Sequence, residues 1–63
     1  MFDRIVSIPD VFGGKPIIRG TRISVEFILD LIVSGGSVTD IVRSYPFLQE
    51  DDVRQAIRYA ESY

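Results

Sequence analysis

SVEFILDLIVSGGSVTDIVRSYPFLQEDDVRQAIRYAES, residues 24–62, contains three runs of helical periodicity separated by helix-stopping residues. The first run predicts a helix over residues 25–34, with Ser24 as its N-cap and Gly35-Gly36 as its stop. Its polar positions form one narrow stripe, and its other sides are apolar. Such a helix is typical of burial on more than one side, so we interpret the excess apolar surface as an interface with another chain. The polar stripe consists of Glu26, Asp30 and Ser34.

The next two runs predict a pair of helices joined by a short turn. The second helix covers Val38–Ser44, with Ser37 as its cap and Pro46 as its stop, because the residue before proline avoids the helical region. The third helix covers Glu50–Ser62. The apolar turn between them, residues 45–48, is expected to fold inward. The residues expected to face the core are Val38, Ile41, Val42 and Tyr45 in the second helix and Val53, Ala56, Ile57 and Ala60 in the third.

Residues 1–23 are interpreted as an extended arm. A β-branched segment at residues 4–8 predicts a strand that Pro9 ends, and Gly13-Gly14 predicts a turn before a second extended piece at residues 16–18. The expected fold is therefore mostly α, a three-helix helix-turn-helix bundle preceded by a short N-terminal β-hairpin-like arm. Residues 1–63 would form a single domain, divided into the arm (1–23) and the bundle (24–63).

Composition limits the chemistry that this chain can perform. The 63 residues include no cysteine and no histidine. Catalysis through a histidine-activated nucleophile and metal binding through thiolates or imidazoles are therefore excluded. We expect a protein that is not an enzyme and needs no cofactor and no metal. A chain of this size buries only about 60% of its unfolded surface, which favours stabilisation by a partner, most simply a second copy in a homodimer.

Charge is distributed unevenly along the chain, whose net charge is −2. Residues 1–22 contain four basic and two acidic residues, whereas residues 23–63 contain three basic and seven acidic ones. This distribution, a basic arm on an acidic body, is more informative about binding partners than the net charge. Because the apolar runs are short and the N-terminus does not resemble a signal peptide, no membrane association and a cytoplasmic location are expected.

The predicted third helix offers side chains suited to reading DNA. In a helix-turn-helix the second helix of the pair enters the major groove, where arginine pairs with guanine and glutamine with adenine. The candidates on its outward face are Arg54, Gln55 and Arg58. A small bundle that binds no DNA is the competing interpretation, and it is strengthened by Glu50, Asp51 and Asp52, which phosphates would repel.

Three basic residues of the arm have two interpretations. Lys15, Arg19 and Arg22 suit contact with DNA phosphates, because guanidinium groups match phosphate oxygens. Alternatively, Arg19 or Arg22 pairs with an acid on the first or third helix and holds the arm in place. Gly13-Gly14-Lys15 lacks the spacing of a phosphate-binding loop, so nucleotide binding is not expected.

Further candidates are apolar or acidic. The pair Glu26 and Asp30 is expected to be a solvated stripe and not a metal site. Tyr45, Tyr59 and Tyr63, with Phe47, are expected in the core and at its rim, and Tyr59 lies off the core face of its helix. The residues expected at a partner or dimer interface are Ile5, Ile8, Phe27, Leu31 and Tyr59.

The segment from Gly13 to Val25, GGKPIIRGTRISV, resembles the opening of domain-of-unknown-function family 433. The similarity extends through Ser37-x-x-Asp40-Ile41, Tyr45-Pro46-x-Leu48 and the segment 52–60, with a departure at Gln49, where the family often has a threonine or serine cap. The resemblance implies a homeodomain-like three-helix fold behind a β arm, with no catalytic residues. It also implies similarity to antitoxins encoded beside toxins with a PIN-like nuclease fold. The signature falls on Gly14, Lys15, Pro16, Ile18, Gly20, Thr21, Arg22, Ile23, Tyr45 and Pro46.

Two functions follow as hypotheses. In the first, the chain is the dimeric, DNA-binding antitoxin of a type II toxin–antitoxin pair, which neutralises a PIN-like toxin and represses its own operon by binding double-stranded DNA. In the second, it is a protein-interaction adaptor that binds a partner protein without binding DNA.

Overall fold

The computed structural model describes residues 2–62, and it has the predicted element order. Two strands, β1 (Ile5–Ser7) and β2 (Pro16–Ile18), are followed by three helices. The helices are α1 (Val25–Val33), α2 (Val38–Ser44) and α3 (Glu50–Ser62). The prediction of three helices behind a short hairpin is confirmed. β1 is shorter than the predicted segment 4–8, and α1 ends one residue before the predicted boundary.

The two strands form an antiparallel hairpin in which Ile5 pairs with Ile18 and Val6 with Ile17. The hairpin turn has left-handed backbone at Phe12, Gly13 and Gly14, with φ of 49°, 64° and 86°. Glycine adopts this region without a steric penalty, so the predicted turn at Gly13-Gly14 is confirmed. Ile17 and Ile18 are both buried, and Ile18 belongs to the core that the helices form, so the hairpin is packed against the bundle.

The helix ends follow the local signals in the sequence. The Ser24 hydroxyl accepts a hydrogen bond from the Phe27 N–H at the start of α1, and left-handed Gly35 (φ 101°) directly follows Ser34, the C-cap of this helix. Ser37 and Asp40 form a reciprocal capping box at α2. The Ser37 N–H donates to the Asp40 carboxylate, and this bond and the Ser37 hydroxyl hold the pKa of Asp40 below its ordinary value.

The core lies where the three helices meet the second strand. Its fully buried members are Ile18, Val25, Ile28, Ile41, Leu48, Val53 and Ala56. The prediction that residues 45–48 fold inward is correct for Leu48, which is 2% exposed, but wrong for Phe47, which is 57% exposed. Leu48 belongs to the buried core, whereas Phe47 lies at the surface and contacts the ring of Tyr45. Within residues 2–62, no helix has the length and apolar character needed to cross a bilayer.

Candidate interaction surface

A buried ion pair fastens the start of β1 to the first turn of α3. The Arg4 Nε donates to one Asp52 oxygen at 2.6 Å, and the Gln49 N–H donates to the other at 2.9 Å. Asp52 is completely buried, and the Arg4 side chain is 30% exposed. Hydrogen bonding to Asp52 raises the pKa of Arg4 above its ordinary value. Asp52 is therefore a structural anchor for the arm, which corrects the expectation that its carboxylate would face DNA.

Gln55 lies one turn after Asp52 and faces the arm. Its side-chain oxygen accepts from the Arg4 N–H at 3.0 Å, and its amide nitrogen donates to the carboxylates of Asp3 and Asp51. The bond to Asp3 is the main reason that the pKa of Asp3 lies below its ordinary value. The predicted outward orientation of Gln55 is wrong, because the side chain is 9% exposed and its hydrogen-bonding groups are already used within the chain.

The two arginines on the outer face of α3 differ in their surroundings. Arg54 donates to Glu50 at 2.8 Å, an exposed pair one helical turn apart. Arg58 is exposed, and its side chain has no acidic partner among residues 2–62. With Glu50, Asp51 and Glu61 also exposed, α3 presents three acidic and two basic side chains to solvent, which disfavours the approach of phosphates to this helix.

The basic residues of the arm have separate local roles. Lys15 lies 3.7 Å from Glu26, and both side chains are mostly exposed, so this pair adds little stability. Arg19 donates from Nε to the backbone carbonyl of Asp3 at 2.9 Å. The Arg22 side chain has no hydrogen bond or ion pair within the described part of the chain. The expectation that Arg19 or Arg22 pairs with a helix acid is wrong, since Arg4 performs that role through Asp52.

Three arginines of the arm meet at one concave surface, which we call the arginine concavity. It is open, has a volume of about 660 Å³, and contains no acidic group among the described residues that line it. It is lined by Arg4, Arg19, Gly20, Thr21, Arg22, Ile23 and Phe47. Sequence analysis identified Arg19 and Arg22 but missed Arg4 and Phe47. Arg4 and Asp52 are 48 positions apart, so no local pattern indicates that they meet.

An aromatic ladder adjoins this concavity. Phe27 on α1 contacts Tyr45 edge to face at 5.8 Å between ring centroids, and Tyr45 contacts Phe47 in the same way at 6.1 Å. Phe27 is 38% and Phe47 57% exposed. The ladder therefore places apolar ring surface in solvent beside a cluster of guanidinium groups.

The other residues expected at an interface differ in their exposure to solvent. Ile8 is 43% exposed, whereas Ile5 and Leu31 are half-buried against the core of their own chain. Tyr59 is half-buried and packs edge to face on Phe2, at 5.4 Å between ring centroids. Tyr63, expected at the core or its rim, lies outside the described residues. The strongest unpredicted exposure on α1 is that of Val33, at 85%.

Glu26 and Asp30 are exposed on α1, as expected for a solvated stripe. Among residues 2–62, no three carboxylates come close enough together to hold a metal ion. The arginine concavity and the aromatic ladder are therefore the strongest candidate surface of the described chain.

Comparison with known proteins assigns the family. The chain is 36% identical over 58 residues to the uncharacterized protein y4eO of Sinorhizobium fredii (strain NBRC 101917 / NGR234), a match that covers 92% of this chain and 26% of the relative. It is similar to the crystal structure of a DUF433 member protein from Anabaena variabilis ATCC 29413, with a TM-score of 0.90 and 32% identity over 95% of this chain and 59% of the other. The chain thus spans less than two thirds of either relative. The family profile described as "protein of unknown function (DUF433)" matches residues 5–60, and the chain belongs to this family.

Proposed function

We propose that this chain is a non-catalytic protein-interaction module, antitoxin-like in type, that self-associates and binds a partner protein. The observation that carries the proposal is the aromatic ladder, which leaves the rings of Phe27 and Phe47 exposed to solvent. Exposed aromatic side chains next to arginine are the composition enriched at the centres of protein interfaces.

The family resemblance supplies the class of partner for this proposal. Antitoxins of this type accompany PIN-like nucleases, which gather carboxylates around a metal ion. An acidic rim on such a nuclease would complement the arginine side of the surface. The direct test is co-expression with the product of the neighbouring gene, followed by purification through a tag on this chain. Failure of the two proteins to co-purify would contradict the proposal.

Self-association is expected to depend on Phe27. We predict that the wild-type chain sediments as a dimer at micromolar concentration and that Phe27→Glu raises the dimer dissociation constant about thirtyfold or more, because a buried charge would replace an aromatic contact. Thr39→Glu is the matched control, since Thr39 is exposed on α2 and lies outside the ladder. A folded wild-type monomer, or equal effects of the two variants, would contradict this prediction.

DNA binding is a second candidate function. The observation that favours it is the order α2, turn, α3, which has the lengths of a helix-turn-helix, together with the exposed side chain of Arg58, which has no acidic partner among residues 2–62. In the antitoxin hypothesis a dimer would use two such helices to repress its own operon. The acidic outer face of α3 makes this candidate weaker than the protein-interaction proposal.

A gel shift with the region upstream of the gene tests this second candidate. If α3 contacts DNA, Arg58→Glu should abolish the shift, and the wild-type shift should weaken steeply as salt is raised. Arg43→Glu provides the same change of charge on α2 as a control. A wild-type chain that produces no shift at low salt does not bind this DNA.

A further inference from the structure

The arginine concavity gathers positively charged side chains on one surface of a chain whose net charge is negative. The chain has nine acidic and seven basic residues, yet three of the seven line one surface on which no described acid lies. Guanidinium groups repel one another when they are brought together. Asp52 forms an ion pair with Arg4, whereas Arg19 and Arg22 form no ion pair with an acidic side chain of residues 2–62. The exposed Asp3 carboxylate attracts Arg19 only through space, and Arg19 bonds to the backbone carbonyl of Asp3.

The loop that carries these arginines is rigidly held. The Thr21 hydroxyl donates to the Ile18 carbonyl at 2.9 Å and accepts from the Ile23 N–H at 3.0 Å. The Ile18 N–H donates to the Ile23 carbonyl at 2.9 Å, which closes the loop across its base. Gly20 has a φ of 78°, a left-handed conformation that favours glycine. A loop held in this way loses little conformational entropy when a ligand binds.

Several donors of this surface remain available. Arg4 and Arg19 each use Nε within the chain, for Asp52 and for the Asp3 carbonyl respectively. Within residues 2–62, the terminal nitrogens of these two guanidinium groups and the whole side chain of Arg22 make no hydrogen bond. A guanidinium group can bind a carboxylate through two parallel hydrogen bonds. The concavity therefore offers oriented cationic donors in a preformed shape.

We propose that the arginine concavity binds an acidic peptide segment of a partner protein, with carboxylates on Arg19 and Arg22 and an apolar side chain against Phe47. This inference deepens the proposed function, on which it rests, by naming the chemistry of the segment that is recognised. The volume of about 660 Å³ suits a segment of a few residues. Duplex DNA fits less well, because its line of phosphates would extend beyond the concavity over an acidic body.

A binding assay with a defined probe tests the proposal. The probe is a capped, fluorescein-labelled peptide that contains glutamates and two leucines in a glycine–serine background, and its glutamine counterpart serves as the uncharged control. We expect the acidic peptide to raise the fluorescence anisotropy and to shift the amide NMR signals of Gly20, Thr21 and Arg22. The glutamine peptide should bind about tenfold more weakly or worse.

Two charge-matched variants locate the site. R22E should weaken binding of the acidic peptide about tenfold or more, whereas R58E, which makes the same change of charge on α3, should stay within about twofold of wild type. Neither the Arg22 nor the Arg58 side chain has a hydrogen-bond or ion-pair partner among residues 2–62. Both variants should therefore have wild-type circular dichroism and thermal unfolding. Equal binding of the two peptides, or equal effects of R22E and R58E, would overturn the proposal.

Competition and co-purification separate the remaining outcomes. If a short DNA duplex displaces the peptide and loses its own affinity in R22E, the concavity is a nucleic-acid site and the proposal is wrong. If inorganic phosphate displaces the peptide at equal molar concentration, the concavity binds small anions without selecting a peptide, which also overturns it. If the neighbouring gene product co-purifies equally with wild type and R22E, this inference fails while the proposed function stands. If R22E weakens peptide binding but the neighbouring gene product does not co-purify with the wild-type chain, this inference stands and the proposed function fails.

Discussion

Arg4→Met is expected to lower the free energy of unfolding by about 3 kcal/mol, since it leaves the carboxylate of Asp52 buried without its cationic partner. The cost lies at the lower end of the range for broken buried pairs, because the Arg4 side chain is partly exposed and because Asp52 retains the hydrogen bond from the Gln49 N–H. For a chain of this length, that loss is a large fraction of the total stability. Urea denaturation followed by circular dichroism measures it.

A matched control separates the ion pair from the general loss of an arginine. Arg22→Met makes the same chemical change at an exposed position and should stay within about 0.5 kcal/mol of wild type. A double-mutant cycle with Asp52→Asn should give a coupling energy of about 1 kcal/mol or more, because the asparagine removes the buried charge while its carbonyl can still accept from Gln49. If Arg4→Met proves as mild as Arg22→Met, the ion pair does not hold the arm.

Gln55→Leu is expected to cost about 2 kcal/mol of stability, since leucine fills a similar volume but leaves the Arg4 N–H without its acceptor. The same change should move the pKa of Asp3 upward towards its ordinary value, because the amide of Gln55 is the main cause of its depression. Denaturant unfolding measures the first effect, and NMR titration of the Asp3 carboxyl measures the second.

Gln49→Leu is the control for this variant, since the Gln49 side chain is exposed and makes no hydrogen bond within the described chain. It should leave stability within about 0.5 kcal/mol of wild type. A Gln55→Leu chain that keeps its stability and the pKa of Asp3 but loses DNA binding would contradict the inward orientation of Gln55. It would also restore the hypothesis that this side chain reads a base.

The two surfaces of the proposed module are continuous. Phe47 belongs both to the aromatic ladder and to the wall of the arginine concavity. A partner bound at the concavity would therefore place an apolar side chain on Phe47 and carboxylates on Arg19 and Arg22, next to the Phe27 end of the ladder at which two copies are proposed to self-associate. Burying the apolar part would supply most of the affinity, while the charged part would select the partner.

Local sequence was sufficient to predict the elements of this fold. Ser24 and Ser37 mark the starts of two helices, and Gly35 marks the end of the first, because capping and left-handed backbone depend on one or two residues at a time. The turn at Gly13-Gly14 and the second strand were predicted for the same reason. The periodic apolar residues of α3 correctly placed Val53 and Ala56 in the core.

The sequence by itself determined the three helices, the hairpin that precedes them and the two arginines of the loop after β2. Only the tertiary structure showed that Arg4 meets Asp52, that Gln55 faces the arm, and that Phe47 stands outside while Leu48 is buried. Helical periodicity assigns a residue to a face, but the partner of that face depends on how distant segments pack. The arm covers the side of α3 that carries Asp52 and Gln55, and its contacts convert two predicted surface side chains into buried structural ones.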